Sequence, residues 1–327
     1  MEILNKELPP KDFEDFALQN LTIDALCEGF SEASTAFYKA RTPLWQKLKH
    51  VIQEAGLSGK SIKKNGVLIK GTEITSLMLG EAIEYFSRAF CNFYAQDELI
   101  QHGYSTWSEV TNYYANFFSI HSLLRLQGRC ITRIWRPKGK QFYIFPYSFR
   151  DHEYVMCSKG VEGKTAHEST WSIYYDVYDG FAYSENLSFE SIFKKKYVQT
   201  PEEEMDFRNK INYEPYQGYE EIWDPTKIPG IIECYTEKKF TNNEIELLSR
   251  LTTDPDYQYY ARSALRIIFS YSLFTDIAQK NNELKLLFEN KKNNLSDFLN
   301  QVKPRNENGM LCHRLQTLLG LEVPRNV

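Results

Sequence analysis

Cysteine pairs, metal-ligand spacings and long apolar runs are all missing from this chain of 327 residues. Its six cysteines form no Cys-x-x-Cys pair, and its six histidines do not cluster at metal-ligand spacing. A disulfide framework and a metal site are therefore not expected, and the scattered thiols fit a reducing compartment. No uncharged apolar run approaches the roughly 18 residues that a membrane-spanning helix needs. Since the N-terminal residues also lack a signal-peptide core, we expect a cytoplasmic protein without membrane attachment.

The overall composition predicts a packed globular protein. Of the residues 42% are hydrophobic and 15% aromatic, which is enough for one large domain or two small ones. The formal net charge of -4 does not attract nucleic acid to the whole molecule, so any such binding has to be local. Two Gly-Lys pairs resemble the end of a phosphate-binding loop, but Glu54 and Ser158 stand where its first glycine belongs. No cofactor is predicted.

The pattern from Trp107 to Gly128 predicts an amphipathic helix of unusual aromatic content. Its apolar positions recur at spacings of three and four residues, and they are Tyr113, Tyr114, Phe117, Phe118, Ile120, His121, Leu124 and Leu126. A second helical pattern spans 76–102, with Gly103 between the two. We therefore expect an antiparallel helical hairpin.

After Gly128 the pattern changes to alternating β-branched, aromatic and basic residues, which predicts a β-hairpin or small meander. A short strand is expected at Val67–Ile69. Helices are expected at 168–182, after Pro201, from Asp254 to Ala278, and as short pieces near 283–301 and 310–320. The predicted fold is mainly α, of the α+β kind: a helical bundle with a small antiparallel β insertion. We expect an N-terminal helical cap at 1–75, a core at 76–240 with the insertion at about 129–160, and a helical region at 241–327.

Two segments resemble the HEPN family. The stretch YYANFFSIHSLLRLQG, from Tyr113 to Gly128, is similar to a HEPN helix that begins Tyr-Tyr-Ala and continues through an aromatic residue and His to a Leu-rich end closing on Gly. The stretch RNKINYEPY, beginning at Arg208, resembles the family signature of Arg, often followed by Asn, with His after four to six intervening residues. The resemblance implies a HEPN-like helical bundle.

The same resemblance implies a catalytic set of Arg208, Asn209 and Tyr213, in which Tyr213 occupies the position of the family's His. HEPN ribonucleases resemble metal-independent RNases in which Arg stabilises phosphate charge and His transfers protons. The pKa of a free His is about 6.5 and that of Tyr about 10, so Tyr is a poor substitute at neutral pH. The degenerate motif favours a binding subunit over a nuclease.

A basic aromatic segment is the second candidate site. No Asp or Glu occurs between Glu109 and Asp151, while the stretch holds seven cations. The predicted nucleic-acid contacts are Arg129, Arg133, Arg136, Lys138 and Lys140. Arg and Lys neutralise phosphates, and the interleaved aromatic residues Trp135, Phe142, Tyr143, Phe145 and Tyr147 can stack on bases of RNA or another single strand. In the alternative, the aromatic residues face the helices and the cations only face water.

The expected function is that of a non-catalytic HEPN-like subunit of a prokaryotic antiviral defence or toxin–antitoxin-type system. It would bind a partner protein encoded nearby and, through the basic segment, RNA or other single-stranded nucleic acid. Two alternatives stay open. One is a metal-independent HEPN-type ribonuclease with a composite active site in a homodimer. The other is a scaffold that neither cleaves nor binds nucleic acid.

Overall fold

The computed structural model describes residues 1–4, 17, 19, 21–36, 42–57, 62, 66–134, 141–158, 161–179, 181, 192, 203–213, 248–249, 252–253 and 258–301. The helices there are α1 (Ile23–Phe30), α2 (Leu44–Glu54), α3 (Thr72–Gln101), α4 (Ser105–Leu126), α5 (Ala166–Tyr178), α6 (Glu203–Tyr213), α7 (Gln258–Gln279) and α8 (Asn282–Gln301). The strands are β1 (Glu2–Leu4), β2 (Val67–Lys70), β3 (Cys130–Arg133), β4 (Gln141–Ser148) and β5 (Glu153–Cys157). The predicted class, mainly α with a small antiparallel sheet, is confirmed.

The five strands form one antiparallel sheet in the order β1-β2-β5-β4-β3. Strands β3, β4 and β5 are the meander predicted after Gly128, and β2 is the strand predicted at Val67–Ile69. The sequence pattern did not reveal that β2 pairs with β5, with Val67 opposite Met156, or that β1 adds to β2. The sheet is therefore larger than an insertion between helices, because two of its strands precede α3 in the chain.

Helices α3 and α4 form the predicted hairpin, and Gly103 makes the turn. Gly103 has φ 80°, and the N–H of Tyr104 donates to the carbonyl of Leu99 at 2.9 Å. Such a left-handed residue after a helix is favoured by glycine because it has no Cβ. Gly128 ends α4 in the same manner, with φ 66° and a bond from the N–H of Arg129 to the carbonyl of Leu124. The two helical patterns of the sequence therefore end where glycine allows the chain to turn.

The chain divides into two compact units, each made of separated segments. The first contains Met1–Tyr85, Ile120–Glu185 and Leu273–Leu287, and the second contains Phe86–Ser119, Asn186–Ser272 and Phe288–Val327. This division differs from the three consecutive segments expected from the sequence. The reason is that β2 pairs with β1 and with β5, and that helices α3, α4, α7 and α8 each have residues in both units.

In the C-terminal part, α7 agrees with the predicted long helix. The helix expected near 283–301 is α8, which spans Asn282–Gln301. The helix expected near 310–320 lies outside the described residues. Among the helices that the structure describes, none is both long and apolar enough to cross a membrane.

Candidate functional site

The three residues expected to be catalytic all lie on α6. Acidic residues Glu203, Glu204 and Asp206 occupy its first turn, where the positive end of the helix dipole favours them. Arg208, Asn209 and Tyr213 follow on the last turns. The Asn209 side chain is half-buried, and the side chains of Arg208 and Tyr213 lie outside what the structure describes.

Helix α6 is held in the second unit by buried charges. Oε1 of Glu204 lies 2.8 Å from Nη2 of Arg266 and 3.4 Å from Nη1 of Arg262, and all three side chains are almost fully buried. Arg266 also donates to Oδ1 of Asn116 on α4. Burial together with the charge of Glu204 raises the pKa of Tyr259, so this phenol stays protonated. Helix α6, which holds the segment that resembles the HEPN signature, therefore forms ion pairs with α7. Helix α7 is in turn hydrogen-bonded to the aromatic helix α4.

The position of Arg129 corrects the prediction of a nucleic-acid contact. Arg129 is fully buried, and its guanidinium donates to the carbonyls of Gln127 at 2.7 Å, of Gln19 and of Ala17. The N–H groups of the Arg129 guanidinium therefore stabilise the folded chain and are not accessible to a ligand. Arg133 is exposed at the end of β3. Residues 135–140, with Arg136, Lys138 and Lys140, lie outside the described residues.

The aromatic residues of β4 follow the alternative in which they face the protein interior. Phe142, Tyr143 and Phe145 are buried, and the Tyr143 hydroxyl donates to the carbonyl of Ala17 at 2.7 Å. Tyr147 is half-buried, and Trp135 is outside the described part of the chain. Base stacking on the buried rings of β4 would require the sheet to open.

A cluster of titratable side chains that the sequence reasoning did not identify lies in the first unit. Helix α3 contributes Glu81 and Tyr85, and α4 contributes His121 and Arg125, each pair four residues apart. Nε of Arg125 lies 2.8 Å from Oε2 of Glu81, and the guanidinium carbon lies 4.3 Å from the Tyr85 ring centre. The His121 ring stacks on Tyr85 with 4.9 Å between ring centres. The signal in the sequence was the matched spacing on two adjacent helices.

The hydrogen bonds define the state of His121. Nη1 of Arg125 lies 3.3 Å from Nδ1 of His121, and because Arg can only donate, Nδ1 accepts and the proton resides on Nε2. Burial, followed by the charges of Arg125 and His167, holds the pKa of His121 well below its ordinary value. The half-buried ring is therefore a neutral N–H donor. For Arg125, burial lowers the pKa, but the Glu81 carboxylate outweighs this and the net shift is upward.

A second constellation has the order carboxylate, imidazole, hydroxyl. Nε2 of His152 lies 3.3 Å from Oε2 of Glu32, and Nδ1 lies 2.9 Å from Oγ1 of Thr75. The Thr75 hydroxyl in turn is 2.6 Å from the hydroxyl of Tyr154. All three hydrogen bonds can be donated in the same direction. Tyr154 then donates to Thr75, Thr75 to His152, and His152 to Glu32. His152 has φ 56°, a conformation that few residues other than Gly adopt, and the turn between β4 and β5 holds it there.

A hydrolase triad has an accessible hydroxyl and a buried carboxylate, and in this constellation the exposure of the two groups is the opposite. The Thr75 hydroxyl is fully buried, whereas the Glu32 carboxylate is 71% exposed. A nucleophile must reach its substrate, so Thr75 cannot serve as one in this conformation. The arrangement connects the turn after α1 with α3 and the sheet, which is a structural role. Among the described residues no three or more His, Cys, Asp or Glu side chains are grouped to hold a metal ion.

Comparison of the chain with protein-family models, curated proteins and solved structures finds no match.

Proposed function

We propose that this chain is a non-catalytic HEPN-like subunit of a prokaryotic antiviral defence or toxin–antitoxin-type system, and that it acts by binding a partner protein. One observation carries the proposal: α6, with Arg208, Asn209 and Tyr213, belongs to the same compact unit as Tyr113–Ser119, the first part of the stretch that resembles the HEPN helix. Arg266 of α7 contacts both Glu204 of α6 and Asn116 of that stretch. A common unit for these segments is what a HEPN-like bundle requires. Tyr213 stands where the ribonucleases of that family have His, and its ordinary pKa near 10 is unsuited to proton transfer at neutral pH.

The two described histidine clusters support binding over catalysis. His121 is neutral, and its only lone pair on nitrogen is directed at Arg125. The positive charge of Arg125 is balanced by Glu81 at 2.8 Å. A catalytic pair for phosphodiester cleavage needs one group that accepts a proton and another that donates one. His121 offers a donor N–H without an available proton acceptor.

The test of the proposal is metal-free cleavage of single-stranded RNA by the purified chain. We expect no cleavage by the wild type. The matched variant is Tyr213→His, which restores the family motif without altering the charge of the rest of α6. Cleavage by the wild type that Arg208→Ala abolishes would contradict the proposal. The partner is sought by tagging the chain in its native host and identifying a stoichiometric protein, starting with the products of adjacent genes.

The proposal includes nucleic acid as a further ligand. Of the residues proposed to contact it, Arg133 is exposed in the part of the chain that the structure describes. Retention of labelled RNA should fall when Arg133, Arg136, Lys138 and Lys140 are changed to Glu, and its dependence on salt should flatten. Arg129→Ala is excluded from this set because it removes buried hydrogen bonds. Unchanged retention by the four-residue variant would remove the basic segment from the proposed function.

A second candidate, a metal-independent ribonuclease, is favoured by one specific observation. Nη1 of Arg125 lies 3.3 Å from Nδ1 of His121, and the charge of His167, on the first turn of α5, contributes to the lowered pKa of His121. Two histidines and an arginine are a residue set for phosphodiester cleavage. This candidate predicts metal-free cleavage that His121→Gln and His167→Gln each abolish and that Arg208→Ala leaves intact. That pattern would replace the binding proposal with an active site in the first unit.

A further inference from the structure

The turn between α3 and α4 exposes two large aromatic side chains. Tyr104 is 53% exposed and Trp107 is 50% exposed, and in the described part of the chain Leu286 is the other large hydrophobic residue with comparable exposure. Tyr and Trp are the residues most often found at the energetic centres of protein interfaces. The two residues are three positions apart across the start of α4, so both are accessible to another molecule at the same turn.

The backbone beneath these rings is fixed by hydrogen bonds. The N–H of Tyr104 donates to Leu99 at 2.9 Å, and the carbonyl of Tyr104 accepts from the N–H of Ser108 at 2.9 Å. Oγ of Ser108 donates to the carbonyl of Gln96 at 3.0 Å, which connects α4 to α3. Because the two rings are mounted on a turn that is already ordered, little backbone entropy is lost when they are covered.

The electrostatic character of this turn is acidic. Between Arg88 and Arg125 the sequence contains no Lys or Arg, whereas it contains Asp97, Glu98 and Glu109. Glu98 lies in the last turn of α3, where the helix dipole disfavours an anion and where no basic residue is present. Its position is thus unfavourable for the helix itself.

Glu98 also has an unused acceptor. In the described part of the chain, Oε1 of Glu98 is shielded from water and has no hydrogen-bond partner. Leaving such an acceptor unpaired destabilises the folded state. The backbone carbonyl of Glu98 accepts from Nδ1 of His102 at 2.8 Å, so Glu98 lies within one turn of the aromatic surface. A cation held near Glu98 would offset the electrostatic cost of this anion at the end of the helix.

We propose that the surface formed by Glu98, His102, Tyr104, Trp107 and Glu109, here named the acidic aromatic tip, binds an arginine- or lysine-bearing segment of the partner polypeptide. The proposal rests on the proposed function, since it supplies the contact surface and the chemistry of the partner. A guanidinium or ammonium group can stack on Trp and Tyr faces and pair with the carboxylates. Phosphate groups would meet charge of the same sign, which disfavours nucleic acid as the occupant.

The test uses a fluorescein-labelled peptide of alternating glycine and arginine, with a glycine and glutamate peptide as control, and fluorescence anisotropy as the measurement. Trp107→Ala is expected to weaken binding of the arginine peptide by about tenfold or more. Glu98→Gln and Glu109→Gln should each weaken it by about threefold and reduce its dependence on salt. Leu286→Ala and Asp206→Asn, which alter an exposed apolar and an exposed acidic residue elsewhere, should leave it unchanged.

Trp107→Phe serves as a second variant, because it keeps an aromatic face and should retain most of the affinity. Equal peptide binding by wild type and Trp107→Ala would overturn the proposal, since attraction to net charge alone would explain it. Binding of oligouridine that is lost in Trp107→Ala would overturn it in favour of nucleic acid. A wild-type dimer that Trp107→Ala converts to a monomer would overturn it in favour of a second copy of this chain.

The same variant separates this proposal from the proposed function. If a partner co-purifies equally with wild type and Trp107→Ala, the proposed function is supported and the acidic aromatic tip is not its contact surface. If the wild-type chain binds the arginine peptide through Trp107 but also cleaves RNA without metal, the binding proposal for the tip is supported. The non-catalytic function is then contradicted.

Discussion

Nη2 of Arg266 lies 2.8 Å from Oε1 of Glu204, and both side chains are removed from water. Arg262 shares the same carboxylate oxygen, so the loss of Glu204 would leave two buried guanidinium groups without it. We predict that Glu204→Ala lowers the free energy of unfolding by about 3–5 kcal/mol, measured by urea denaturation. Asp206→Ala, on the same turn but exposed, is the control and should change it by less than about 0.5 kcal/mol. Equal effects would show that the buried ion pairs contribute little.

The ring of Phe149 occupies the space next to Gly128. A Cβ atom on Gly128 would lie 2.7 Å from Cε2 of Phe149, and Gly128 also has φ 66°. Gly163 has a similar φ of 77° but nothing within 4 Å of its Cβ position, so it isolates the backbone term. We predict that Gly163→Ala destabilises the protein by about 1 kcal/mol. Gly128→Ala should destabilise it by at least about 2 kcal/mol, because the clash adds to the strain. Similar melting temperatures for the two variants would contradict this.

The state of His121 makes stability depend on pH. Burial and Arg125 hold its pKa well below the ordinary value, so the folded protein keeps the ring neutral while the unfolded chain takes up a proton below about pH 6.5. This contribution is complete above pH 6.5 and is lost progressively as the pH falls below it. His121→Gln should therefore lose less stability than wild type between pH 7.5 and 5.5.

The difference should be at most about 1 kcal/mol in urea unfolding, because the His121 ring is partly exposed. His102→Gln removes an exposed histidine and is the control, with the wild-type pH dependence expected. If His121→Gln also shows the wild-type dependence, the neutral buried ring does not control it.

The thiol of Cys130 is predicted to be inert. Burial raises its pKa to about 12, and the charge of Arg125 offsets only part of that shift. Near pH 8 only about one thiol in ten thousand is then a thiolate. Iodoacetamide followed by mass spectrometry should leave Cys130 unlabelled in the folded protein, while the half-buried Cys91 is labelled faster than Cys130. In concentrated urea both should label at similar rates. Rapid labelling of native Cys130 would contradict its buried position.

The periodic elements could be predicted from the sequence, and their long-range partners could not. The spacing of aromatic residues in α4 and the alternation after Gly128 are local properties that determine helix and strand. The pairing of β2 with β5 depends on a register between residues about ninety positions apart, which no local pattern specifies. Helix α8 is likewise local, and its observed span of Asn282–Gln301 agrees with the helix expected near 283–301.

The candidate sites show the same limit. A run of cations suggests a surface, but Arg129 is buried, and its guanidinium donates to the carbonyls of Ala17 and Gln19, which are distant in sequence. The spacing of His121 and Arg125 was visible in the sequence, whereas their contacts with Glu81 and Tyr85 required α3 and α4 to lie side by side. The exposure of Tyr104 and Trp107 could not be predicted from the sequence, because most aromatic residues in the same helical pattern are buried.

The strand order has a consequence during synthesis on the ribosome. Strand β2 emerges long before β5, and the whole α3–α4 hairpin is translated between them. Until Cys157 has left the exit tunnel, one side of β2 has no native neighbour and can pair with strands of other nascent chains. Slowing translation after β2 has left the tunnel and before Cys157 has done so should therefore increase aggregation of this protein, whereas slowing it once Cys157 has left the tunnel should not.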